Sequence, residues 1–256
     1  MSDHMGWLSF SLSYGFLILI TAVMAYCRVG RSGLIIKAGI RMTLQMMAAG
    51  YILAWIVEGR HPLAVAAVLL AMAAFAVHRV LSINQWMNRR FQWIAGTALT
   101  GSGAVVLLFY LYAVICQDFF DARYTIPLAG IFLGNAMTGL NLGLKTFHEQ
   151  LQGRSGEIQV LQDFGAAPEG ILMPLIQESM ETAILPTVNT LLGMGIVFLP
   201  GMMSGQILAG ISPERAVLYQ MSVSMGLAAA VCLSVFAALC WGSRTLRDSR
   251  GNISFR

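Results

Sequence analysis

Ala216-Val-Leu-Tyr-Gln-Met-Ser-Val-Ser-Met-Gly-Leu-Ala-Ala-Ala-Val-Cys-Leu-Ser-Val-Phe-Ala-Ala-Leu-Cys-Trp-Gly-Ser243 runs for 28 residues without a charge. As a helix rising about 1.5 Å per residue, it is longer than the roughly 30 Å of hydrocarbon in a bilayer. Further out, Leu8–Cys27, Met42–Val57 and Pro62–Val77 are also free of charge. Of the 256 residues, 57% are apolar and only 11% charged, against about 45–50% and about 25% in a soluble domain. So few charges cannot cover a water-facing surface of this size. In lipid a helix satisfies its own backbone hydrogen bonds. The composition therefore predicts an all-α fold, a polytopic membrane helix bundle of about seven transmembrane helices, with the lipid bilayer as its solvent.

Charge clusters mark the borders of the spans. Span 1 is expected near Leu8–Cys27, span 2 near Arg41–Val57 and span 3 near Pro62–His78. Spans 4 and 5 follow near Phe91–Cys116 and Ile126–Leu144, then span 6 over about Ala183–Ala209 and span 7 over about Ala216–Trp241. On this count Arg28, Arg31, Lys37, Arg41, Arg79, Arg89, Arg90, Lys145, Arg154, Arg244, Arg247, Arg250 and Arg256 share one side. Only Arg60, Arg123 and Arg215 fall on the other. Basic residues collect on the cytoplasmic side, so the N-terminus is expected outside and the C-terminus in the cytoplasm. A wrong helix count would scramble the parity and flatten this bias. The setting implied is a bacterial cytoplasmic (inner) membrane, crossed several times.

Topology also accounts for the net charge of +4. No basic run is interleaved with aromatics, so nucleic acid is not expected as a partner. Cys27, Cys116, Cys232 and Cys240 have no C-x-x-C spacing and lie in or beside apolar segments. They read as small buried apolar residues rather than a disulfide framework. His4, His61, His78 and His148 are scattered outside the spans or at their edges. No Lys or Arg precedes the first apolar run, so that run is expected to stay as a span rather than be cleaved as a signal peptide.

The outer loops are short, and the one sizeable aqueous stretch is Lys145–Thr182. The chain is thus expected to be a single domain, residues 1–256, with 145–182 as a cytoplasmic hairpin. After Gly156, the residues Ile158, Leu161 and Phe164 recur near helical spacing, with Glu157, Gln159, Gln162 and Asp163 between them. This is the pattern of a short amphipathic helix. Gly165 stands where a helix stops and Pro168 where the next begins. The small elbow Gly165-Ala166-Ala167 would let another protein approach the backbone. A helix lying on the inner leaflet is the other possibility, but such helices are rich in Lys and Arg, and this one carries acid.

Span 5 carries Gly130, Gly134, Asn135, Thr138, Gly139, Asn141 and Gly143. Span 6 carries Asn189 and the run Leu199-Pro-Gly-Met-Met-Ser-Gly-Gln206. Small residues four apart let helix backbones come into contact. Pro200 removes a backbone donor, so a kink or break is expected near Pro200–Gly201. Asn135, Asn141, Asn189, Pro200, Gly201, Met202, Met203, Gly205 and Gln206 are the candidates for packing or for lining a translocation path. Some would serve as helix–helix glue and others as pathway. Thioethers suit Cu(I), but methionine at helical spacing is more often filling, and no metal ligands are assigned.

Lys37 and Lys145 are preceded by Ile and Leu, so no phosphate loop of the G-x-x-x-x-G-K-[ST] type exists. There is no H-E-x-x-H, no G-x-S-x-G elbow and no nucleophile–base pair. An enzyme is not expected, nor is a cofactor bound by this chain.

Three stretches together carry a family likeness: Ile126-Pro-Leu-Ala-Gly-Ile-Phe-Leu-Gly-Asn-Ala-Met137, Gly165-Ala-Ala-Pro168, and Leu185-Pro-Thr-Val-Asn189 with Leu199-Pro-Gly-Met-Met-Ser-Gly205 and Ala209-Gly-Ile-Ser-Pro213. With Arg41-x-x-x-Gln45 and Gly50-Tyr51, they resemble the FetB-type permeases of ABC transporters. That family is linked to iron export and metal resistance and has plant aluminium-tolerance relatives. The resemblance covers roughly residues 35–240. It implies a membrane subunit working with a separate ATPase subunit that holds ATP and Mg, as a homodimer of permeases with two ATPases. The hairpin residues Leu161, Phe164, Gly165, Ala166, Ala167 and Pro168 would then be the ATPase-coupling element. Export of iron or another metal ion follows from the resemblance alone. Two other classes stay open on the residues themselves: a self-sufficient ion-coupled carrier or channel, and a membrane enzyme or assembly factor without transport.

Overall fold

The computed structural model describes residues 7–28, 32–59 and 61–246. Arg31, Arg60, the tail arginines Arg247, Arg250 and Arg256, and His4 lie outside the described residues. The chain falls into two compact units, Met1–Gly59 and Arg60–Arg256. No β-strand forms among the described residues.

The first unit is a pair of packed helices, α1 (Trp7–Tyr26) and α2 (Ser32–Gly59). Gly39 sits where its missing side chain admits Leu17 of α1, and Tyr14 meets Thr43 through their hydroxyls. Because α2 begins at Ser32, Lys37 and Arg41 belong to its first turns. Both had been placed in the linker.

The second unit holds α3 (Pro62–Ile83), α4 (Arg89–Phe109), a π-helical turn (Tyr110–Ile115), α5 (Ala122–Gly153), α6 (Ser155–Asp163), α7 (Pro168–Gly193), α8 (Gly201–Leu208) and α9 (Pro213–Ser243). Its starts are set by local chemistry. Asn88 caps α4 by accepting from the Phe91 N–H at 2.7 Å, and Asp121 caps α5 by accepting from the Arg123 N–H at 3.0 Å. Such caps satisfy orphan donors of the first turn. Pro62, Pro168 and Pro213 open α3, α7 and α9, where a missing N–H costs nothing.

Helix α9 is the centre, packed against α4, α5, α7 and α8. Its buried face includes Ala230, Ser234, Ala238 and Gly242, small residues at every fourth position. Lipid is as apolar as leucine, so burial alone gives helices little reason to associate in a membrane. Close packing of small residues supplies that reason. A side chain on Gly242 would overlap the Phe91 ring of α4. On α5, a Cβ at Gly139 would lie 2.6 Å from Val231, and one at Gly143 would lie 3.1 Å from Val235 and 3.2 Å from Ala183. Three helices therefore meet at glycine. Phe91, Phe132 and Phe147 fill the remaining core and are fully buried.

Among the described residues, five helices are long and apolar enough to cross a membrane: Gly33–Gly59, Pro62–Ile83, Arg89–Ile115, Ala122–Gly153 and Pro213–Leu246. These correspond to expected spans 2, 3, 4, 5 and 7. The sixth differs. Ala183–Ala209 was expected as a span kinked or broken near Pro200–Gly201, and it is broken: α7 runs from Pro168 to Gly193 and α8 starts afresh at Gly201. The break occupies Met194–Pro200. Gly195 turns the chain there with φ of +79°, and Pro200 serves as N-cap of α8. Pro186, by contrast, sits inside α7 without ending it. The hairpin is likewise not separate from the spans, because α5 and α7 carry helix straight through its borders.

Candidate functional site

The elbow between α6 and α7 is built by its own sequence. The Gly165 N–H donates to the Gln162 carbonyl at 2.9 Å and the Ala166 N–H to the Leu161 carbonyl at 3.0 Å. This pair of bonds is a Schellman stop. Gly165 takes φ of +77°, a left-handed conformation that costs a side chain free energy. Ala167 then caps α7 and Pro168 opens it.

The apolar stripe of α6 divides. Ile158 is buried against the bundle, Leu161 is 39% exposed, and Phe164 is 86% exposed. Ala166 and Ala167 are exposed, Pro168 half-buried. A Cβ on Gly165 or Gly170 would meet nothing within 4 Å. The result is a projecting tip with one bare aromatic ring and a close backbone. Glu157, Asp163 and Glu169 surround it, and Arg154 pairs with Glu178 of α7 at 3.1 Å.

Beside the elbow, the helix ends are tied together. Trp86 stacks on His148 at 4.6 Å with 11° between planes and meets Phe91 edge-on at 5.3 Å. The Asn88 amide donates to the Thr245 carbonyl at 2.8 Å. Sequence reasoning passed over Trp86 and Asn88, although N-x-x at the border of an apolar run is a capping signal.

The pathway candidates scatter into three environments. Asn141 is glue: the Asn84 side-chain amide donates to Asn141 Oδ1 at 2.9 Å and to the Val80 carbonyl at 2.9 Å, joining α3 to α5. Asn135 instead lies exposed on α5. With Thr138, Gly139, Leu142, Ala183, Pro186, Thr187, Thr190 and Leu227 it lines a groove of about 100 Å³. The three threonines were not among the candidates, although Thr138 stood with the small and polar residues of span 5 and Thr187 and Thr190 flank Asn189 after Pro186. Asn189 is exposed on α7.

At the break, Met203 is buried, Met202 partly so, and Gly201 and Gly205 are exposed. A side chain at either glycine would meet nothing within 4 Å, so the close packing expected of them is not made within this chain. Gln206 Oε1 and Gln220 Oε1 are both buried with no partner among the described residues. The Gln220 amide donates to Ser224 Oγ at 3.2 Å, which lies 3.2 Å from Met194 Sδ. That contact holds the start of the break against α9. Among the described residues, no cluster of His, Cys, Asp or Glu could hold a metal ion.

Long apolar helices packed through glycine, with polar residues paired between spans, define a multi-pass helical membrane protein. The chain belongs to the uncharacterised protein family UPF0014, whose model matches residues 7–246. It is 30% identical over 233 residues to the UPF0014 membrane protein YjkA of Bacillus subtilis, covering 90% of this chain and 92% of the relative. It is 30% identical over 212 residues to the probable iron export permease protein FetB of Escherichia coli, covering 82% and 80%. Similarity extends to plants: 27% identity over 216 residues to the UPF0014 membrane protein STAR2 of rice, covering 84% and 75%. No solved structure matches. The relatives are thus membrane proteins that include a probable iron export permease, as the three quoted stretches had indicated.

Proposed function

We propose that this chain is the membrane subunit of an ATP-driven transporter, exporting iron or another metal ion together with a separate ATPase that holds ATP and Mg. Seven helices would cross a bacterial inner membrane, α1 and α7 joining the five long ones, with the N-terminus outside and the elbow and C-terminus in the cytoplasm. Two copies would assemble with two ATPases.

The bare Phe164 carries this reading. A large aromatic ring that is 86% exposed at the tip of a short elbow is the kind of anchor that a partner's pocket takes up. Its elbow is short, rigid and acid-flanked, which suits a groove on a soluble motor and opposes adsorption to anionic lipid. The chain also has no phosphate loop of its own, so energy would come from the partner. Because α7 runs without interruption from Pro168 past Pro186 to the break, a push on the elbow has a continuous rod along which to travel.

The test is co-purification with an ATPase that carries a phosphate loop, sought first in the neighbouring reading frame. Phe164→Asp should reduce the ATPase recovered by at least tenfold while the detergent-solubilised bundle keeps its thermal unfolding midpoint. Undiminished recovery would remove the elbow from this role. Metal flux that follows a proton gradient and ignores ATP would favour the self-sufficient carrier instead.

A further inference from the structure

The groove between α5 and α7 has a chemistry of its own. The Asn135 amide donates to the Ile131 carbonyl at 2.8 Å, the Thr138 hydroxyl to the Gly134 carbonyl at 3.0 Å, and the Thr190 hydroxyl to the Pro186 carbonyl at 2.9 Å. The two threonine hydroxyls have spent their one donor on their own helix and turn an oxygen lone pair outward, while the Asn135 amide keeps its carbonyl oxygen and a second N–H. Pro186 has no N–H, so the Thr182 carbonyl one turn away also loses its helical donor. Thr187 adds a third hydroxyl to the lining. The groove is thus richer in neutral oxygen acceptors than in donors, and is floored by Gly139 and Ala183.

Its depth matters. Asn135 lies 13 residues into α5, roughly 20 Å along the axis, and Thr187 lies 19 residues into α7, roughly 28 Å. Both positions fall within the span of a bilayer. The spare Asn135 N–H and carbonyl oxygen would be left unpaired against hydrocarbon, so another protein surface must cover the groove. Two such faces carry more acceptors than donors, so hydrogen bonds between them leave oxygens over. They can share a cation. Nearer the elbow on the same helix, Glu178 and Glu181 are exposed, and carboxylates there would concentrate cations at the entrance.

We infer that this groove is half of a cation-passing site, completed by Asn135, Thr138, Thr187 and Thr190 of a second copy of the chain. The inference rests on the transport reading above and adds to it the ligand chemistry and the face that two copies share. Neutral oxygens replace a hydration shell without holding the ion so tightly that it cannot leave. That suits a hard or borderline divalent cation, which takes about six oxygen ligands, more than one copy would supply.

Two measurements test it. In full-length protein lacking its four native cysteines, Thr138→Cys should be joined to a second copy by a short bis-maleimide, giving a band at twice the 27.8 kDa chain mass. A cross-link confined to one chain, running from Thr138→Cys to a cysteine placed on α1 or α2, would overturn the shared groove, as would no cross-link in membrane-inserted protein. Separately, the complex with its ATPase in proteoliposomes is titrated with ferrous ion. Thr187→Val combined with Asn135→Leu should raise the Fe²⁺ concentration for half-maximal ATPase stimulation by at least tenfold, while Thr97→Val on the outer face of α4 leaves it unchanged. Equal titrations for the groove variant and wild type would overturn the cation site. If wild type neither binds the ATPase nor responds to Fe²⁺ but still cross-links at Thr138→Cys, the shared groove stands and the ATP-driven reading falls.

Discussion

Helices α5 and α8 carry the same kind of spacing, Gly139-x-x-x-Gly143 in one and Gly201-x-x-x-Gly205 in the other. In α5 the glycines touch Val231, Val235 and Ala183, and no side chain would fit. In α8 they face open space. The polar neighbours follow suit: Asn141 on α5 is paired with Asn84, whereas Gln206 on α8 leaves a buried oxygen without a partner. Small residues four apart permit a close approach. Whether one occurs depends on what lies across from them.

Gly139→Leu should break this comparison most visibly. With a Cβ already 2.6 Å from Val231, the added side chain must push α5 and α9 apart, at a cost of about 3 kcal/mol or more. Thermal unfolding in detergent should show a fall of many degrees or no folded peak at all; an unchanged midpoint would mean that the three helices do not meet at glycine. Asn141→Leu comes next. It strips Asn84 of an interhelical partner inside the bundle and should cost about 1–2 kcal/mol, with Asn84→Leu in the same chain recovering part of the loss. If the double variant is no better than the single, the Asn84–Asn141 bond is not the cause.

Gln206→Leu removes an acceptor that has no partner, so stability should stay level or rise by about 1 kcal/mol. A clear fall would reveal a partner that the isolated chain does not contain. Gly205→Leu should have the smallest effect on folding, within about 0.5 kcal/mol, as expected for a substitution into open space. Destabilisation comparable to that of Gly139→Leu would erase the difference between the two helices.

Much of this architecture could be read residue by residue. Charge clusters placed all five long helices, the fourth span (Phe91–Cys116 against Arg89–Ile115) nearly to both ends, while the fifth stopped at Leu144 although the helix runs on to Gly153. Gly165 with Pro168 located the elbow to the residue. Two misplacements have physical reasons. The expected start of span 2 at Arg41 came from treating charge as a border, yet Lys37 and Arg41 sit in the first turns of α2. The break in the sixth span was expected near Pro200–Gly201 but starts earlier, at Met194, because Gly193 and Gly195 add to Pro200 and together break a helix more firmly than Pro186 alone. The groove threonines were missed for another reason. Hydroxyls bonded to their own helix look like tolerated polar residues until the neighbouring helix shows that they share a face.

Composition alone determined that the chain lives in a membrane as helices, since hydrocarbon accepts only segments that satisfy their own backbone, and it fixed where the elbow turns, since that turn is made by adjacent residues. Only the tertiary structure decided which glycines are crowded, which amide has a partner, and which oxygens gather in one groove. Those properties belong to pairs of residues on different helices, and spacing along a single helix cannot specify what stands opposite.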